Sequence, residues 1–512
     1  SLEDAFLQFS DPQANSFIVE RRSGSSLEEL AYQFAFRMFR EQGAAYLSTE
    51  ELTSLYHFPM NALSAPKVKH LKAREAPAPA NLPPEGVLLG ENIFRGEQSL
   101  IRIQRGDRQR HLYVIGQTGT GKTNFMKSLV HQDIMNGEGV CFIDPHGETV
   151  EELLALIPKE RVEDVIYFNP GDVARPLGLN MLEYDPQYPE QKTFVVNELF
   201  SIFQKLYGAV PESMGPMFEQ YFRNATMLVM DDPASGNTLL EIARVMADKD
   251  FRALKLSRSK NVVVRTFWED VAEKAGGEAA LQNMVPYITS KFDIFLANDI
   301  MRPIIGQEKS AFNFREVMDS KKILLVNLSK GRLGDINSHL LGLIIVGKLL
   351  IAALSRSDML EKERKDFYLY IDEFQNVTTK SISAILSEAR KYRLDLIVAH
   401  QFIGQLEEDI KKAIFGNVGS MVSFRIGADD AEFMEQQFEP VFAAHDLMNI
   451  DNYNAYVKLL LNGQTSRPFN IHTFPTPEGS TEVAVAIKQL SSLKYGVPRE
   501  DVELTITNKF RN

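Results

Sequence analysis

The chain of 512 residues is 44% hydrophobic and 24% charged, with a formal net charge of −12. This composition suits a soluble globular protein of about two to four domains with a substantial core. The acidity excludes a chain that coats a polyanion through its overall charge, so any nucleic-acid contact must come from local basic patches. Cys141 is the one cysteine, which excludes an internal disulfide and a cysteine-ligated zinc; its apolar neighbours assign it to packing.

Residues 1–72 read as a small α/β or helical appendage, with a strand-like run at 17–19 and amphipathic helices at 27–40 and 48–56. Pro77, Pro79, Pro83 and Pro84 mark residues 73–86 as a linker. An α/β domain begins at 87–185, with a strand pair over 95–110, and strands at 111–115, 140–143 and 165–168. Helical periodicity dominates 186–320, which reads as an all-helical insertion. The α/β pattern resumes over 321–474, with apolar runs at 322–327, 367–371, 394–398 and 421–425. Such runs separated by helices predict a mostly parallel sheet covered on both faces. Residues 456–471 look like a closing hairpin, and 475–512 like a tail with one helix near 483–495. The apolar stretch 340–354 is interrupted by Lys348 and is shorter than the roughly 20 residues of a membrane span, so it reads as a buried core helix. No signal peptide is visible, and the start at Ser1 without methionine points to a fragment or processed chain whose upstream part could hold an anchor.

The strand at 111–115 runs into Gly116-Gln117-Thr118-Gly119-Thr120-Gly121-Lys122-Thr123, and Asn124 continues into a helix. This is a phosphate loop in the strand–loop–helix setting it requires. Glycines let backbone N–H groups turn inward around phosphate oxygens, and the helix N-terminus adds unpaired donors and a positive dipole end. Lys122 then reaches the β- and γ-phosphates, and Thr123 offers its hydroxyl to Mg²⁺. The strand at 367–371 ends in Asp372-Glu373. Asp372 would hold the Mg²⁺ shell opposite Thr123, while Glu373 would act as general base toward the attacking water. Together they favour ATP hydrolysis over simple nucleotide binding. Gln401, at the tip of the next strand, is placed to sense the γ-phosphate or the lytic water. His400 beside it has no assigned role, and His146 reads as a turn residue. Arginine candidates for stabilising the transition state are Arg390, Arg393 and Arg425.

The loop, Asp144-Pro145-His146-Gly147-Glu148, Asp372-Glu373-Phe374-Gln375-Asn376, the segment 387–393, Ala399-His400-Gln401 and the segments 417–420 and 424–427 occur in that order. Across roughly residues 82–510 this resembles the HerA/FtsK superfamily of ring ATPases, and within it the TraG/TraD-like coupling proteins of type IV secretion and conjugation. The resemblance implies a RecA-like P-loop NTPase fold with an all-helical insertion, using ATP and Mg²⁺ and assembled as a homo-hexamer around a DNA channel. It implies that Arg390 completes a neighbouring subunit's site in trans, with Arg425 as second candidate, and that Asp144 lies near the nucleotide. Relaxase or secretion-channel partners follow from the same resemblance. In the family the insertion faces DNA or recruits substrate, so the basic residues Arg252, Lys255, Arg258, Lys260 and Arg265 become candidate phosphate contacts. Coupling proteins generally have a transmembrane N-terminus, and none is present in this sequence; the expected location is cytoplasmic, at the inner face of the membrane if an upstream anchor exists. The expected function is an ATP-hydrolysing DNA translocase. The alternatives are a secretion or assembly ATPase moving protein, and a non-catalytic nucleotide-gated scaffold.

Overall fold

In the computed structural model, the described residues are 21–39, 47–49, 52, 73–208, 211–272, 277–379 and 381–511. Residues 1–70 form a unit of their own, in which helix α1 (Ser25–Ala35) follows Gly24 and buries none of its side chains. It ends five residues short of the helix expected at 27–40. The expected strand at 17–19, and most of the expected helix at 48–56, lie outside the described residues.

In the larger unit, from residue 71 onward, an eleven-stranded sheet runs in the order β2-β1-β13-β10-β9-β3-β8-β7-β4-β6-β5. Its parallel part comprises β5 (Val165–Phe168), β6 (Ile323–Asn327), β4 (Gly139–Asp144), β7 (Phe367–Ile371), β8 (Leu394–His400), β3 (Leu112–Ile115) and β9 (Ser420–Ser423). All seven are buried along their whole length, as expected of parallel strands with helices on both faces. Four antiparallel strands extend this sheet: β10 (Asn454–Lys458), β13 (Phe469–His472), β1 (Val87–Phe94) and β2 (Glu97–Ile103). The closing pair predicted at 456–471 is therefore β10 with β13, and between them β11 (Leu460–Leu461) and β12 (Gln464–Thr465) form a separate small hairpin. The predicted strand pair over 95–110 begins earlier, at Val87.

The proline-rich segment is tied down rather than free. Ala76 N–H donates to Asn470 Oδ1 at 2.8 Å, and buried Asn92 donates to Ala76 O at 2.9 Å and Asn470 O at 2.7 Å. Proline removes donors, so the strand asparagines supply the pairing that the segment cannot make by itself.

Between the neighbouring strands β5 and β6, the described elements are all helical. They include α4 (Gln191–Tyr207), α5 (Pro216–Asp231), α6 (Leu239–Ala247), α7 (Lys249–Arg258) and α8 (Gly277–Leu296), after α2 (Lys122–Met135) and α3 (Glu148–Ala155) in the first half of the sheet domain. Helix α9 (Asp335–Ser355) carries the apolar stretch. By length and composition it could cross a membrane, but 78% of its most apolar window is buried inside the fold, against α4 among others. Buried Lys348 hands its ammonium to Glu183 O at 3.0 Å, and burial lowers its pKa to about 8. Two helices close the chain, not one: α10 (Thr481–Tyr495) packs on β5 and α3, while α11 (Arg499–Arg511) packs Val502 and Ile506 against Leu240 of the insertion.

Candidate functional site

At the carboxyl end of the parallel strands the backbone itself fixes the loop. Gln117 N–H donates to Arg425 O at 2.9 Å, and Phe424 N–H to Ile115 O at 2.8 Å. Gly116 has no room for a side chain, since a Cβ there would lie 2.6 Å from Phe424 Cβ. Gly119 and Gly121 take φ 78° and 115°, which only glycine adopts without strain. Thr120 Oγ1 braces the turn by donating to Gln117 O at 2.7 Å, and Gly121 leads into α2, whose start has no side-chain cap. The loop and the strand ends enclose a cavity of about 490 Å³.

One corner gathers oxygen donors. Thr123 Oγ1 lies 3.5 Å from Asp372 Oδ2, and Lys122 Nζ lies 3.8 Å from Asp372 Oδ1. Burial raises the Asp372 pKa, Lys122 counters it, and Asp144 and Glu373 reinforce it. A hydroxyl and a carboxylate side by side are the hard ligands Mg²⁺ takes, and a dication there would relieve the cost of burying the Asp372 charge.

A second corner is a polar chain. Gln401 Oε1 accepts from Thr118 Oγ1 at 3.3 Å, and Gln401 Nε2 donates to Glu373 Oε1 at 3.3 Å. Glu373 Oε2 accepts from Asn376 Nδ2 at 3.1 Å. His146 Nε2 stands 3.4 Å from Glu373 Oε1, which brings the expected turn residue into the site. The two partners are 227 residues apart in sequence, so no local signal announced the pair. His400 points away, into the core. It contacts Tyr113 Oη, and burial lowers its pKa to about 3.

Several sequence-derived candidates sit elsewhere or are already engaged. Asp144 borders the cavity, but its oxygens accept from the N–H groups of His146 and Thr149, both at 2.9 Å, and of Val150 at 3.3 Å; it holds the start of α3. Asn124 also borders the cavity, while its amide donates to Phe474 O at 2.9 Å. Arg425 is held on its own chain by Ile450 O at 3.2 Å and Asn452 Oδ1 at 2.9 Å. Arg390 is exposed on the short helix Ala389–Tyr392. Its charge acts on His111, which precedes β3, whereas the phosphate loop follows β3; Arg390 therefore lies toward the other end of the sheet from its own chain's cavity.

The basic set in the insertion requires correction. Arg252 is 1% exposed and donates to Val245 O at 3.0 Å. Lys255 is fully buried, its ammonium shared by Val229 O, Asp232 O and Gly236 O at 3.2, 2.6 and 2.6 Å, and burial lowers its pKa to about 8. These two are internal braces, not the phosphate contacts expected of them. Arg258 pairs with Asp232 at 3.1 Å and Arg265 with Glu269 at 3.1 Å, while Lys260 is exposed.

Two family models match this chain: the central domain of helicase HerA over residues 97–294, and the TraM recognition site of TraD and TraG over residues 366–437. The first spans the phosphate loop and most of the insertion; the second spans Asp372, Glu373, Arg390, Gln401 and Arg425. By these matches the chain is similar to the HerA/FtsK type and to the conjugation coupling proteins. Among solved structures, the bacterial conjugative coupling protein TrwBdeltaN70 in an unbound monoclinic form is 14% identical, covering 77% of this chain and 92% of its own, with TM-score 0.53. Plasmid coupling protein TrwB with ADP and Mg²⁺ is 16% identical, covering 75% and 90%, with TM-score 0.53. TrwB with a non-hydrolysable ATP analogue is 15% identical, covering 74% and 89%, with the same score. These likenesses show the fold, a mostly parallel RecA-like sheet flanked by helices as in TrwB. No curated protein matches the sequence.

Proposed function

We propose that this chain is an ATP-hydrolysing motor that translocates DNA as a ring of identical subunits. The carrying observation is the run Thr118–Gln401–Glu373, which ties the phosphate loop to a carboxylate that does not share the metal corner. In this reading the loop amides and Lys122 hold the β- and γ-phosphates. When bound at Thr123 and Asp372, Mg²⁺ supplies charge neutralisation at those phosphates. Glu373 takes the proton from a water attacking the γ-phosphorus, the bond to the bridging oxygen breaks, and ADP leaves. Gln401 orients that water and reports the γ-phosphate to β8. Arg390, which does not serve its own cavity, reaches a neighbouring subunit's phosphates. The solved relatives are named as conjugative coupling proteins, one with ADP and Mg²⁺, which supports the cofactor and a conjugation setting.

Burial of Arg252 and Lys255 removes much of the basic surface expected of the insertion, and this favours protein as the alternative cargo. ATP turnover measured with single- and double-stranded DNA over a range of salt separates the two. DNA transport predicts stimulation that fades as salt rises. Turnover indifferent to both DNAs contradicts DNA as cargo and leaves protein transport.

A further inference from the structure

Tyr453 has no part in the chemistry above, yet it borders the nucleotide cavity. Among the described cavity-lining residues it is the one phenylalanine, tyrosine or tryptophan side chain. It is 51% exposed, and its backbone sits at φ 63°, in the left-handed region that a tyrosine adopts only under constraint.

The constraint is visible on both sides. Tyr453 N–H donates to Thr120 O of the phosphate loop at 2.8 Å, and Tyr453 O accepts from Thr473 N–H at 2.8 Å and Thr473 Oγ1 at 2.9 Å. The ring lies against Gly121, where a Cβ would stand 3.1 Å from Tyr453 Cδ1. Arg425 steadies the same turn from behind through Asn452 and Ile450. A strained, pinned backbone thus holds a large ring at the open rim, and no hydrogen bond of its hydroxyl occurs among the described residues. Strain maintained at a ligand cavity is a mark of pre-organisation.

The geometry points to Tyr453 as the platform on which the base of the bound nucleotide stacks. The phosphates are fixed at the loop, the metal corner at Thr123 and Asp372, and the hydrolytic corner at Glu373 and Gln401, which leaves the Tyr453 rim for the nucleoside. Stacking reads a π face and not a hydrogen-bond pattern, so the platform accepts adenine and guanine alike. This inference rests on the nucleotide reading above and adds the base subsite to it.

The test is calorimetric titration of the full chain with Mg²⁺ and, separately, a non-hydrolysable ATP analogue, the matching GTP analogue and inorganic tripolyphosphate. Tyr453→Asn suits the position because asparagine tolerates a left-handed backbone. It is expected to weaken both nucleotide analogues by about 10- to 100-fold, the range base–aromatic stacking supplies, with tripolyphosphate binding unchanged. Tyr453→Trp is expected to restore nucleotide affinity. If nucleotides and tripolyphosphate weaken together, or if neither weakens, the platform is overturned while the phosphate loop stands. A wild-type chain that binds none of the three overturns the nucleotide reading itself.

Discussion

At Glu373 the backbone takes φ 47° and ψ 47°, so the carboxylates of residues 372 and 373 leave the strand end in different directions. Asp372 turns to Thr123 and Lys122; Glu373 turns to Gln401 and His146. Gln401→Ala should therefore leave nucleotide affinity within about twofold while lowering kcat by about 10²-fold, the scale of a lost positioned group. Steady-state turnover beside nucleotide titration measures both. A different residue-scale consequence concerns His111, which accepts from Leu396 N–H at 3.0 Å and is held at a pKa of about 4 by burial. The unfolded chain takes up a proton near pH 6.5 that the folded chain refuses until about pH 4. Stability from this group is thus present above pH 6.5 and is lost as pH falls through that window. His111→Asn, suited to the left-handed backbone there, should remove about 2 kcal/mol of the stability lost between pH 6.5 and pH 5, read by denaturant unfolding at both pH values.

At the scale of elements, the strands that build the site were legible because buried parallel strands leave uninterrupted apolar runs. The phosphate loop and Asp372-Glu373 were legible because each is a short motif at a strand end. The insertion was legible as helix, but the direction of its cations was not. Lys255 falls on α7 in a basic stretch that reads as a solvated or DNA-facing surface, and only the three carbonyls around it reveal an internal brace. His146 escaped for the opposite reason, its partner being remote in sequence. Likewise, the proline-rich segment looked like a linker because the asparagines that pin it lie on β1 and β13. Lys255→Met should destabilise the chain by about 2–4 kcal/mol, since it strands buried carbonyls, without changing the salt dependence of any DNA binding by the folded protein. Denaturant unfolding and salt-titrated DNA binding check the two halves. A preserved fold with a shallower salt slope would return Lys255 to the DNA surface.

For the whole molecule, one chain's cavity brings together the phosphate loop, Thr123 with Asp372, and Glu373, while Arg390 lies toward the other end of the sheet. A ring of subunits reconciles the two, because each arginine can then serve its neighbour. Mixing Arg390→Ala with Lys122→Ala subunits should recover part of the turnover that neither variant shows alone, after native mass spectrometry has confirmed mixed assemblies. Confirmed mixed rings with no recovery would remove Arg390 from the shared site. The claim beneath all of this is that the cavity hydrolyses the nucleotide it binds, with Glu373 as base. ATP turnover of Glu373→Gln, measured beside its ATP affinity, tests that most directly. The account predicts affinity within a few-fold of wild type and turnover lower by about 10²-fold or more; near-normal turnover with intact binding would contradict it.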